Sequence, residues 1–488
     1  MADKLLVLHG YSDGATSFTD LAEFFVSERL YAREKVYLLN YASMDDHSVF
    51  EDFADKLDED YEKLFGTERI DVACHSTGAL VVRLWLSLHY RRQKQSRRKP
   101  RSPVEHLLMF APANFGSDLA KMGQSFLGKF RSTFFNTHAK EGDFLESGKH
   151  VLQGLEPASP FQWNLSLQDL HGESFFNPAL GEKNVCFPFV FAAGRGYTGL
   201  QARVIEARKK PGTDGTVRIC GTSLNTRKCT VDFCNREVNP LWADEHKFAD
   251  IPFALFGEHN HGSIINTGTA FTDSKRGPGA FAREAVGITS FSAYEAFAQR
   301  CAKHNATHFK GDPYQQFFFR VIDDVGLAID DYYIDFYAIR ADGSLHQKLT
   351  LEFDRDFEHE FYRHSQDGSC RALLVNLTRF REFVKRLKQE KAKLVFDVVA
   401  VSPVKEVKYL PAYATIVGGE EEADEPTFFY ENTTTLVEIV LNRVASDRVL
   451  ELLDIDLNQL KLASAVPATS RTGRALLFPA KKITVISA

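Results

Sequence analysis

Ser76 has the surroundings expected of a serine nucleophile. It follows an apolar run, Ile70 to Cys74, that predicts a short buried strand, and it precedes a run from Ala79 whose spacing predicts a helix. A strained turn between such elements lifts a hydroxyl above the sheet edge and points it at substrate. Strand and helix cross closely there, so small residues are expected on both sides. Gly78 meets that requirement, and Cys74 stands where the usual pattern has glycine.

The predicted helix after Ser76 adds a second chemical feature. Its first N–H groups have no partner within the helix, and its N-terminus is the positive end of the helix dipole, so an oxyanion beside Ser76 would be stabilised. Serine is also a favoured N-cap residue, and a short Ser-x-Gly motif occurs often by chance. The catalytic interpretation therefore depends on partners elsewhere in the chain.

Those partners follow two late predicted strands. Asp214 comes after the predicted strand from Val185 to Ala193, and His259 and His261 come directly after the predicted strand from Ile251 to Phe256. The chain order serine, acid, histidine is that of hydrolases that use a strand-to-helix nucleophile turn. Either histidine could serve as the base.

Other carboxylates compete with Asp214 for the position of the acid. Asp232 and Asp244 lie between the same two strands, and Asp214 is preferred because Gly212 and Gly215 lie close on either side of it. The structural alternative for Asp214 is an ordinary Asp-Gly turn.

The elements that must position these residues alternate between strand and helix. The run from Lys4 to Leu8 predicts a buried parallel strand that ends at His9, and helices are predicted from Phe18 to Leu30 and from Val49 to Phe65. Such alternation predicts a parallel sheet, in which active groups collect beyond the carboxyl ends of the strands. His9 and Ser76 both follow such ends.

Composition restricts the class of protein. At 488 residues the chain predicts two domains, and 44% hydrophobic with 25% charged residues is typical of a soluble globular protein. A net charge of −6 argues against a general nucleic-acid role. Seven dispersed cysteines indicate reduced thiols rather than a disulfide framework, and no residue spacing indicates a metal or another cofactor.

Location is predicted only by default. The N-terminus enters a strand without a signal segment, and no run approaches a membrane-spanning length, so the cytoplasm is expected, with signal-independent export left open. The basic cluster from Arg91 to Arg101 is most simply a solvated helix end, and contact with an anionic phospholipid surface is the alternative.

Two long regions depart from the alternation. Residues 118–184 are rich in aromatics and predict either a lid or substrate wall, or a helical satellite without a gating role. Residues 269–488 contain many β-like runs, Lys348 to Phe353 among them, and a run from Phe380 to Glu390 with helical spacing. They predict an accessory antiparallel β-sandwich after a catalytic domain of residues 1–268. Its acidic pairs around residues 323–331 predict a solvated turn rather than a calcium site, and docking to a membrane or to a protein partner stays open.

The chain resembles the α/β-hydrolase lipases, in particular the branch containing lecithin–cholesterol acyltransferase-like and GPI inositol-deacylase-like enzymes. The resemblance spans about residues 3 to 265. It is carried by these segments in order: Leu8-His9-Gly10, His75-Ser76-Thr77-Gly78, Ala111-Pro112-Ala113-Asn114-Phe115-Gly116-Ser117, Asp214-Gly215-Thr216-Val217 and the region of His261. It implies an α/β-hydrolase fold with a lid-like insertion.

The resemblance also implies roles for individual residues. Ser76 would be the nucleophile, Asp214 the orienting acid and His261 the base, preferred over His259 because Gly262-Ser263-Ile264 resembles the sequence after the family histidine. The oxyanion donors would be backbone N–H groups, and further positions would contact substrate. These positions are Thr77 and Tyr11 for the oxyanion, and His9, Gly10 and His75 for substrate.

The expected activity is that of a serine carboxylester hydrolase, a lipase or esterase whose substrates include phospholipids. Lipids or small esters are the expected ligands, and no cofactor is required. The rival interpretations are a non-catalytic binding protein on a hydrolase fold, and an amidase or thioesterase that uses the same three residues.

Overall fold

The architecture is taken from a computed structural model of the full chain. It describes residues 2–11, 18–42, 45–122, 148–197, 211–234, 241–242, 250–273, 275–357, 361–402, 406–417 and 429–446.

The strands form two large sheets and two small ones. In chain order, β1 to β17 are Leu5–Leu8, Val36–Leu39, Ile70–His75, Val104–Phe110, Phe187–Ala193, Arg227–Asp232, Leu241–Trp242, Phe253–Phe256, Tyr314–Asp323, Tyr332–Ile339, Phe361–Arg363, Cys370–Asn376, Lys393–Ala400, Val407–Tyr409, Ala412–Val417, Thr433–Leu441 and Arg443–Ala445.

The α-helices of the described residues are mostly amphipathic and lie on the sheets. In chain order, α1 to α10 are Thr19–Ser27, Phe50–Phe65, Gly78–Gln95, Lys149–Leu155, Pro160–Asp169, Thr269–Thr272, Pro278–Ala285, Phe291–His308, Gln347–Phe357 and Leu377–Gln389. Short 3₁₀ helices cover Arg33–Lys35, Asp118–Met122, Pro178–Leu180, Ile219–Gly221 and Ser263–Ile265.

The first large sheet has the strand order β2-β1-β3-β4-β5-β8, and each neighbouring pair is parallel. Every residue of β1, β3 and β5 is buried, as the near-continuous apolar runs predict for strands covered on both faces. The predicted parallel sheet flanked by helices is therefore confirmed. Because all six strands run the same way, their carboxyl ends and the loops after them lie at one edge.

The second core lies between the other large sheet and a three-stranded sheet. The large sheet has the order β11-β12-β9-β16-β6-β7, and the small one the order β10-β13-β15. The predicted antiparallel pairing is confirmed for β10, β13 and β15 and for β11, β12 and β9. β16, in contrast, pairs parallel with both β9 and β6.

Alternate residues of β9 divide between the two cores. Phe317 and Phe319 pack in the core between the two sheets, whereas Phe318 packs with Phe115 in the core of the first sheet. The mixed sheet is therefore covered on one face by the three-stranded sheet and on the other by the first core.

Elements exchange between the two halves of the chain. β6 precedes β8 in sequence but pairs with β16 in the mixed sheet. Conversely, α7 and α8 follow residue 268 but contribute Phe281, Tyr294 and Phe297 to the first core. The division into domains 1–268 and 269–488 stays a prediction.

One predicted strand is wrong. The run Lys348 to Phe353 alternates apolar residues, which is typical of a strand, but the structure places it in α9. Leu349, Phe353 and Phe357 are buried at a spacing of four residues, and Leu351 is 59% exposed, which is the pattern of a helix. The predicted helix from Phe380 to Glu390 is confirmed as α10.

The described part of the predicted insertion 118–184 is anchored on both sides; residues 123–147 lie outside the described residues. Glu156, after α4, is buried and accepts hydrogen bonds from the Tyr362 hydroxyl at 2.7 Å and the Ser365 hydroxyl at 2.8 Å. Asp169 at the end of α5 pairs with Arg83 of α3 at 2.7 Å. These two carboxylates fix residues 148–184 to the rest of the protein.

The acidic turn predicted around residues 323–331 is closed by one of its own carboxylates. Asp323, in the acidic turn, is fully buried and accepts hydrogen bonds from the N–H groups of Val325 at 3.2 Å and Leu327 at 2.8 Å, so this carboxylate closes a turn rather than facing water.

Two other expectations concern the chain as a whole. All seven cysteines carry free thiols, as their dispersed positions predict. Among the described residues, no helix combines the length and apolarity needed to cross a bilayer.

The stability of the first core is expected to depend on pH through His304. Burial against Phe256 and Phe281, and then the neighbouring His308, lower the pKa of this imidazole to about 4. Below pH 6.5 the unfolded chain therefore binds more protons than the folded one, and stability falls as the pH drops towards 4. Lowering the pH from 7.5 to 5.5 should therefore reduce the free energy of unfolding less in His304→Phe than in the wild type. The difference between the two losses should be at most about 1 kcal/mol, because the ring is only half-buried.

Urea titrations of both proteins at pH 7.5, 6.5 and 5.5 measure this difference. The phenyl ring keeps the aromatic contacts, so the variant is its own packing control. Equal losses in the two proteins would show that His304 does not titrate on unfolding.

Candidate active site

Ser76 lies directly after β3, at the carboxyl edge of the first sheet. Its φ of 52° is in the left-handed region, which costs free energy for a residue with a Cβ. Backbone bonds hold the conformation: Ser76 N–H donates to Phe110 O at 3.0 Å, and Ala113 N–H donates to Ser76 O at 3.2 Å. The strained strand-to-helix turn expected from the sequence is thus present, and α3 starts two residues later at Gly78.

The demand for small residues around this turn has a measurable cause. A Cβ at Gly78 would lie 2.7 Å from the carbonyl oxygen of His9, closer than carbon and oxygen can approach. The same Cβ would lie 3.5 Å from the Cβ of Cys74, which is fully buried. Cysteine is therefore small enough on the strand side, and the helix side admits only glycine without a shift.

His261 and Asp214 continue from Ser76 in one chain of hydrogen bonds. His261 Nε2 lies 3.0 Å from Ser76 Oγ, and His261 Nδ1 lies 2.8 Å from Asp214 Oδ2. The carboxylate cannot donate, so Nδ1 carries the proton and Nε2 faces the hydroxyl. All three side chains are buried, and Asp214 has no exposed surface.

Backbone groups fix the acid independently of the histidine. The second oxygen of Asp214, Oδ1, accepts the N–H groups of Thr216 at 2.9 Å and Val217 at 2.7 Å. His261 N–H also donates to the carbonyl oxygen of Asp214 at 3.1 Å. The Asp-Gly turn and the acid are thus the same feature: the turn orients the carboxylate.

The competing residues lie elsewhere. His259 Nδ1 donates to the carbonyl oxygen of Ser263 at 2.9 Å. Asp232 lies in β6, and its carboxylate accepts Cys234 N–H at 2.8 Å. Asp244 lies outside the described residues. Among the described candidates, the structure brings together Ser76, Asp214 and His261.

His75, predicted to contact substrate, binds the backbone of the histidine loop. Its Nε2–H donates to the carbonyl oxygen of His261 at 2.9 Å, and the two rings lie 4.7 Å apart. Burial first, and then the nearby His261, lower the pKa of His75 well below its ordinary value. The ring is therefore neutral at physiological pH, and it holds His261 in place without adding charge.

His9 fixes the loop that carries the predicted oxyanion donor. Its Nδ1–H donates to Gly10 O at 2.7 Å, its Nε2 accepts Tyr41 N–H at 3.1 Å, and it stacks on the Tyr41 ring at 4.4 Å. Burial lowers the pKa of His9, which favours the neutral ring that this pair of bonds requires. Both ring nitrogens serve the backbone, so His9 shapes the path of Gly10 and Tyr11.

One buried link was not predicted from the sequence. Arg83 of α3 is fully buried, donates to both oxygens of Asp169 at 2.7 and 3.0 Å, and reaches Asn114 Oδ1 at 3.2 Å. The amide of Asn114 then donates to Thr222 O at 2.7 Å. An arginine at a core position of an apolar helix was the available signal, since a buried charge needs a partner.

The mixed sheet also supports the segment after Asp214. Phe115 N–H donates to Gly221 O at 2.9 Å, and Gln316 of β9 donates to Phe115 O at 3.1 Å. Thr434 of β16 donates to Cys220 O at 3.1 Å. The loop that carries the acid is therefore fixed between the first sheet and the second.

Comparison with known proteins places the fold. The sequence matches no protein-family model and none of the curated proteins. The parallel sheet, flanked by helices and with its serine turn at the carboxyl edge, is an α/β-hydrolase fold.

The structure of phospholipase PlaB from Legionella pneumophila is similar to this structure over nearly the whole length of both chains. The TM-score is 0.73 at 20% identity, with 92% of this chain and 96% of that chain covered, and the PlaB structure in complex with thio-NAD gives the same values. Bacillus licheniformis lipase BlEst2 in mature form gives a TM-score of 0.33 at 15% identity, covering 56% of this chain and 90% of its own. The metagenomic carboxyl esterase MGS0156 gives 0.34 at 16% identity, covering 63% and 76%.

Adding one methyl group at the turn is expected to destabilise the protein. In Gly78→Ala the new Cβ would lie 2.7 Å from the His9 carbonyl oxygen, so α3 or the His9 loop must shift. Overpacking of this kind lowers the free energy of unfolding by about 1–3 kcal/mol, which urea denaturation measures.

Gly268→Ala is the matched control for this substitution. Its Cβ would come no closer than 3.5 Å to Asn266 Oδ1, and its backbone is not left-handed, so a change within about 0.5 kcal/mol is expected. Equal effects at the two positions would mean that the crossing is not sterically tight.

Proposed function

We propose that this protein is a serine carboxylester hydrolase that cleaves lipid esters, phospholipids among them. The observation that carries the proposal is the hydrogen-bond chain from Ser76 Oγ through His261 to Asp214, with distances of 3.0 and 2.8 Å. A hydroxyl paired with the free nitrogen of an oriented imidazole is the arrangement that serine acyl transfer requires.

In the first step, Ser76 Oγ attacks the ester carbonyl carbon while His261 Nε2 takes the hydroxyl proton. The carbonyl oxygen becomes an oxyanion, held by the N–H groups of Thr77 and Tyr11. Thr77 directly precedes α3, where N–H groups have no partner within the helix. Each such donor contributes on the order of 3 kcal/mol to the transition state.

Collapse of this intermediate gives an acyl-enzyme. His261 returns the proton to the leaving alcohol. It then takes a proton from the water molecule that attacks the acyl carbon, and it returns that proton to Ser76 Oγ as the Oγ–acyl bond breaks and the carboxylic acid leaves. Asp214 keeps the proton on Nδ1 and stabilises the imidazolium that forms in each half-reaction. His75 acts as a positioning residue, because it holds the backbone of His261 at 2.9 Å and stays neutral.

Lipid rather than small esters is favoured by two features. The chain resembles a phospholipase in fold over 92% of its length, which includes the second core as well as the first. The insertion of residues 118–184 is also rich in aromatic residues, which is typical of a substrate wall or lid, although Trp163, Phe175 and Phe176 of its described part are buried in the first core. The branch of lecithin–cholesterol acyltransferase-like or GPI inositol-deacylase-like enzymes stays a prediction.

Contact with a membrane surface also stays a prediction, and so does a cytoplasmic location. The basic cluster from Arg91 to Arg101 lies at the end of α3 opposite Ser76. Arg91 comes 13 residues after Gly78 in α3, so the cluster begins about 20 Å along the helix from the serine turn. Arg92 and Lys94 within it pair with Asp55 and Glu173. A membrane bound by this cluster would lie away from the nucleophile.

Replacing the nucleophile should abolish turnover. In Ser76→Ala, p-nitrophenol release from butyrate and octanoate esters is expected to fall by at least about 10³-fold, because no acyl-enzyme can form. A fluorophosphonate probe should label the wild type and not the variant, and mass spectrometry should show phospholipid cleavage by the wild type alone.

The outcomes also separate the rival functions. A wild-type chain that neither labels nor turns over any ester, amide or thioester would indicate a non-catalytic binding protein. Labelling combined with cleavage of amides or thioesters alone would indicate the other hydrolase classes. Unchanged ester turnover in Ser76→Ala would overturn the assignment of the nucleophile.

Two matched pairs test the base and the acid. His261→Gln and Asp214→Asn should each lower kcat by about 10³–10⁴-fold, because each removes one link of the hydrogen-bond chain. His259→Gln and Asp232→Asn are the matched controls, because these two residues lie outside the hydrogen-bond chain from Ser76 to Asp214. In both controls kcat should stay within about threefold of the wild-type value. A larger loss in His259→Gln than in His261→Gln would reverse the choice of base.

A further inference from the structure

A buried pair of ionisable side chains lies at the amino ends of the parallel strands, at the edge of the first sheet opposite Ser76. Asp71 is the second residue of β3 and His106 the third residue of β4, and neither has any exposed surface. Oδ1 of Asp71 lies 2.7 Å from Nδ1 of His106 and also accepts the backbone N–H of His106 at 3.1 Å. The ester hydrolysis proposed above makes no use of this pair.

The second ring nitrogen of His106 can only be a donor. Nε2 lies 2.6 Å from the carbonyl oxygen of Ile288, and a carbonyl oxygen only accepts, so Nε2 carries a hydrogen atom. A neutral ring would then present the lone pair of Nδ1 to the oxygen of Asp71, and two acceptors at this distance repel each other. One further proton must therefore lie between the ring and the carboxyl group.

The hydrogen bonds of the carboxyl group place this proton on the ring. Tyr31, which follows α1, donates its hydroxyl to Oδ2 of Asp71 at 2.6 Å. With the two bonds from His106, Asp71 takes part in three hydrogen bonds. Several donors around a carboxyl group favour its ionised form, so Asp71 is a carboxylate and His106 an imidazolium.

The charge of Asp71 also favours the protonated ring. Burial alone would lower the pKa of His106, because an imidazolium loses its hydration in the core. The Asp71 carboxylate and the hydrogen bonds to Asp71 and Ile288 outweigh this loss, so the pKa of His106 lies above its ordinary value.

The other titratable side chains near the pair do not balance the charge of Asp71. They are Tyr31 after α1, Arg69 before β3, Glu105 in β4, Cys186 before β5 and Tyr294 in α8. Burial raises the pKa of both hydroxyls and of the thiol, so these three groups are neutral, and the arginine and the glutamate carry opposite charges. The charge of Asp71 is therefore balanced by His106.

The pair joins segments that are distant in sequence. Tyr31 follows α1, Asp71 and His106 lie in neighbouring strands, and Ile288 lies in the connection between α7 and α8. Ile288 is buried, and the bond from His106 fastens this connection to the sheet.

α8 in turn supports the strand that leads to the candidate base. Asn305 of α8 accepts the N–H of Leu255 at 2.7 Å and donates to the carbonyl oxygen of Phe253 at 2.8 Å. Both residues belong to β8, which lies at the edge of the first sheet, and the loop with His261 follows this strand. The connection fastened by His106 is thus the start of the helix that covers β8.

We infer that His106 is a proton-dependent latch, which holds the connection between α7 and α8 on the first sheet while its ring carries two protons. A neutral ring has one N–H and can serve only one of the two acceptors. Hydrogen bonds to a charged group are the stronger ones, so the remaining N–H stays with Asp71. The bond to Ile288 is then lost, and the connection is released from the sheet.

The latch should open on the alkaline side. A histidine whose pKa is raised by folding stabilises the folded state fully below about pH 6.5, the pKa of the unfolded chain, and this contribution is lost as the pH rises through the folded pKa. Between the two pKa values, the equilibrium constant of unfolding rises by up to about tenfold per pH unit.

Urea titrations of the full chain at pH 7, 8 and 9 measure this contribution. His106→Gln keeps a side chain that can donate and removes the titration. Between pH 7 and 9 the equilibrium constant of unfolding should rise at least about threefold more in the wild type than in this variant. Equal pH dependence in the two proteins would overturn the inference.

His304→Phe is the matched control. It also removes an imidazole that packs in the first core, but the pKa of His304 is about 4, so this ring does not titrate above pH 7. The control should therefore keep the wild-type pH dependence between pH 7 and 9. A control that instead loses this dependence, as His106→Gln should, would show that the effect does not belong to the latch.

Two measurements on the wild type keep the latch testable where His106→Gln does not fold. With ¹⁵N-labelled histidine, NMR at pH 7 should show a ring with both nitrogens protonated, assigned to His106 by its nuclear Overhauser contacts with Ile288. A neutral ring at this position would overturn the inference.

Hydrogen exchange tests the release itself. After correction for the intrinsic dependence of exchange on pH, amides of residues 284–290 should lose protection by at least about fivefold between pH 7 and 9. Amides of β12, which lies in the mixed sheet, should keep theirs. Unchanged protection of residues 284–290 would overturn the inference. None of these measurements needs a substrate, so their outcomes do not depend on whether the protein hydrolyses esters.

Discussion

The close crossing of β3, α3 and the end of β1 is the constraint on which the candidate site depends. Gly78 lets the helix pass close to the His9 carbonyl, and Ser76, in the turn that leads into this helix, adopts a left-handed conformation. The strain is held by backbone bonds to Phe110 and Ala113 and by the apolar cover around both elements. Without that crossing, the hydroxyl would not point out of the sheet edge towards His261.

Around this fixed hydroxyl, the other two side chains are positioned mainly by backbone groups. The Asp214 carboxylate closes its own turn, His261 is tied to Asp214 and His75 through its backbone, and His9 serves the loop opposite. Groups held in this way need little reorganisation when charge develops, which is the basis of electrostatic catalysis. The mixed sheet takes part through Gln316 and Thr434, so the geometry of the site depends on both cores.

The local pattern of the sequence was sufficient for the first sheet and for the residues at its edge. Buried parallel strands such as β1, β3 and β5 are continuous apolar runs, and the serine turn needs only adjacent residues, so both could be predicted. α9 was mistaken for a strand because Leu349, Leu351 and Phe353 also alternate; the burial of Phe357 shows the helical period. The parallel pairing of β6 with β16 could not be predicted, because it joins segments about 200 residues apart without a local signal. The Arg83–Asp169 pair, between residues 86 positions apart, was missed for the same reason.

The position of β6 has a consequence for how the chain reaches its native state. Arg227 to Asp232 lies between the acid and the histidine in sequence, yet its ladder partner is Thr435 to Val440. Until β16 has been synthesised, β6 presents a β-edge with unsatisfied N–H and C=O groups, and the segment joining Asp214 to His261 lacks its anchor. On the ribosome, the first half would therefore emerge as an incomplete unit, and the three candidate residues would assemble in one late, cooperative event that needs nearly the whole polypeptide.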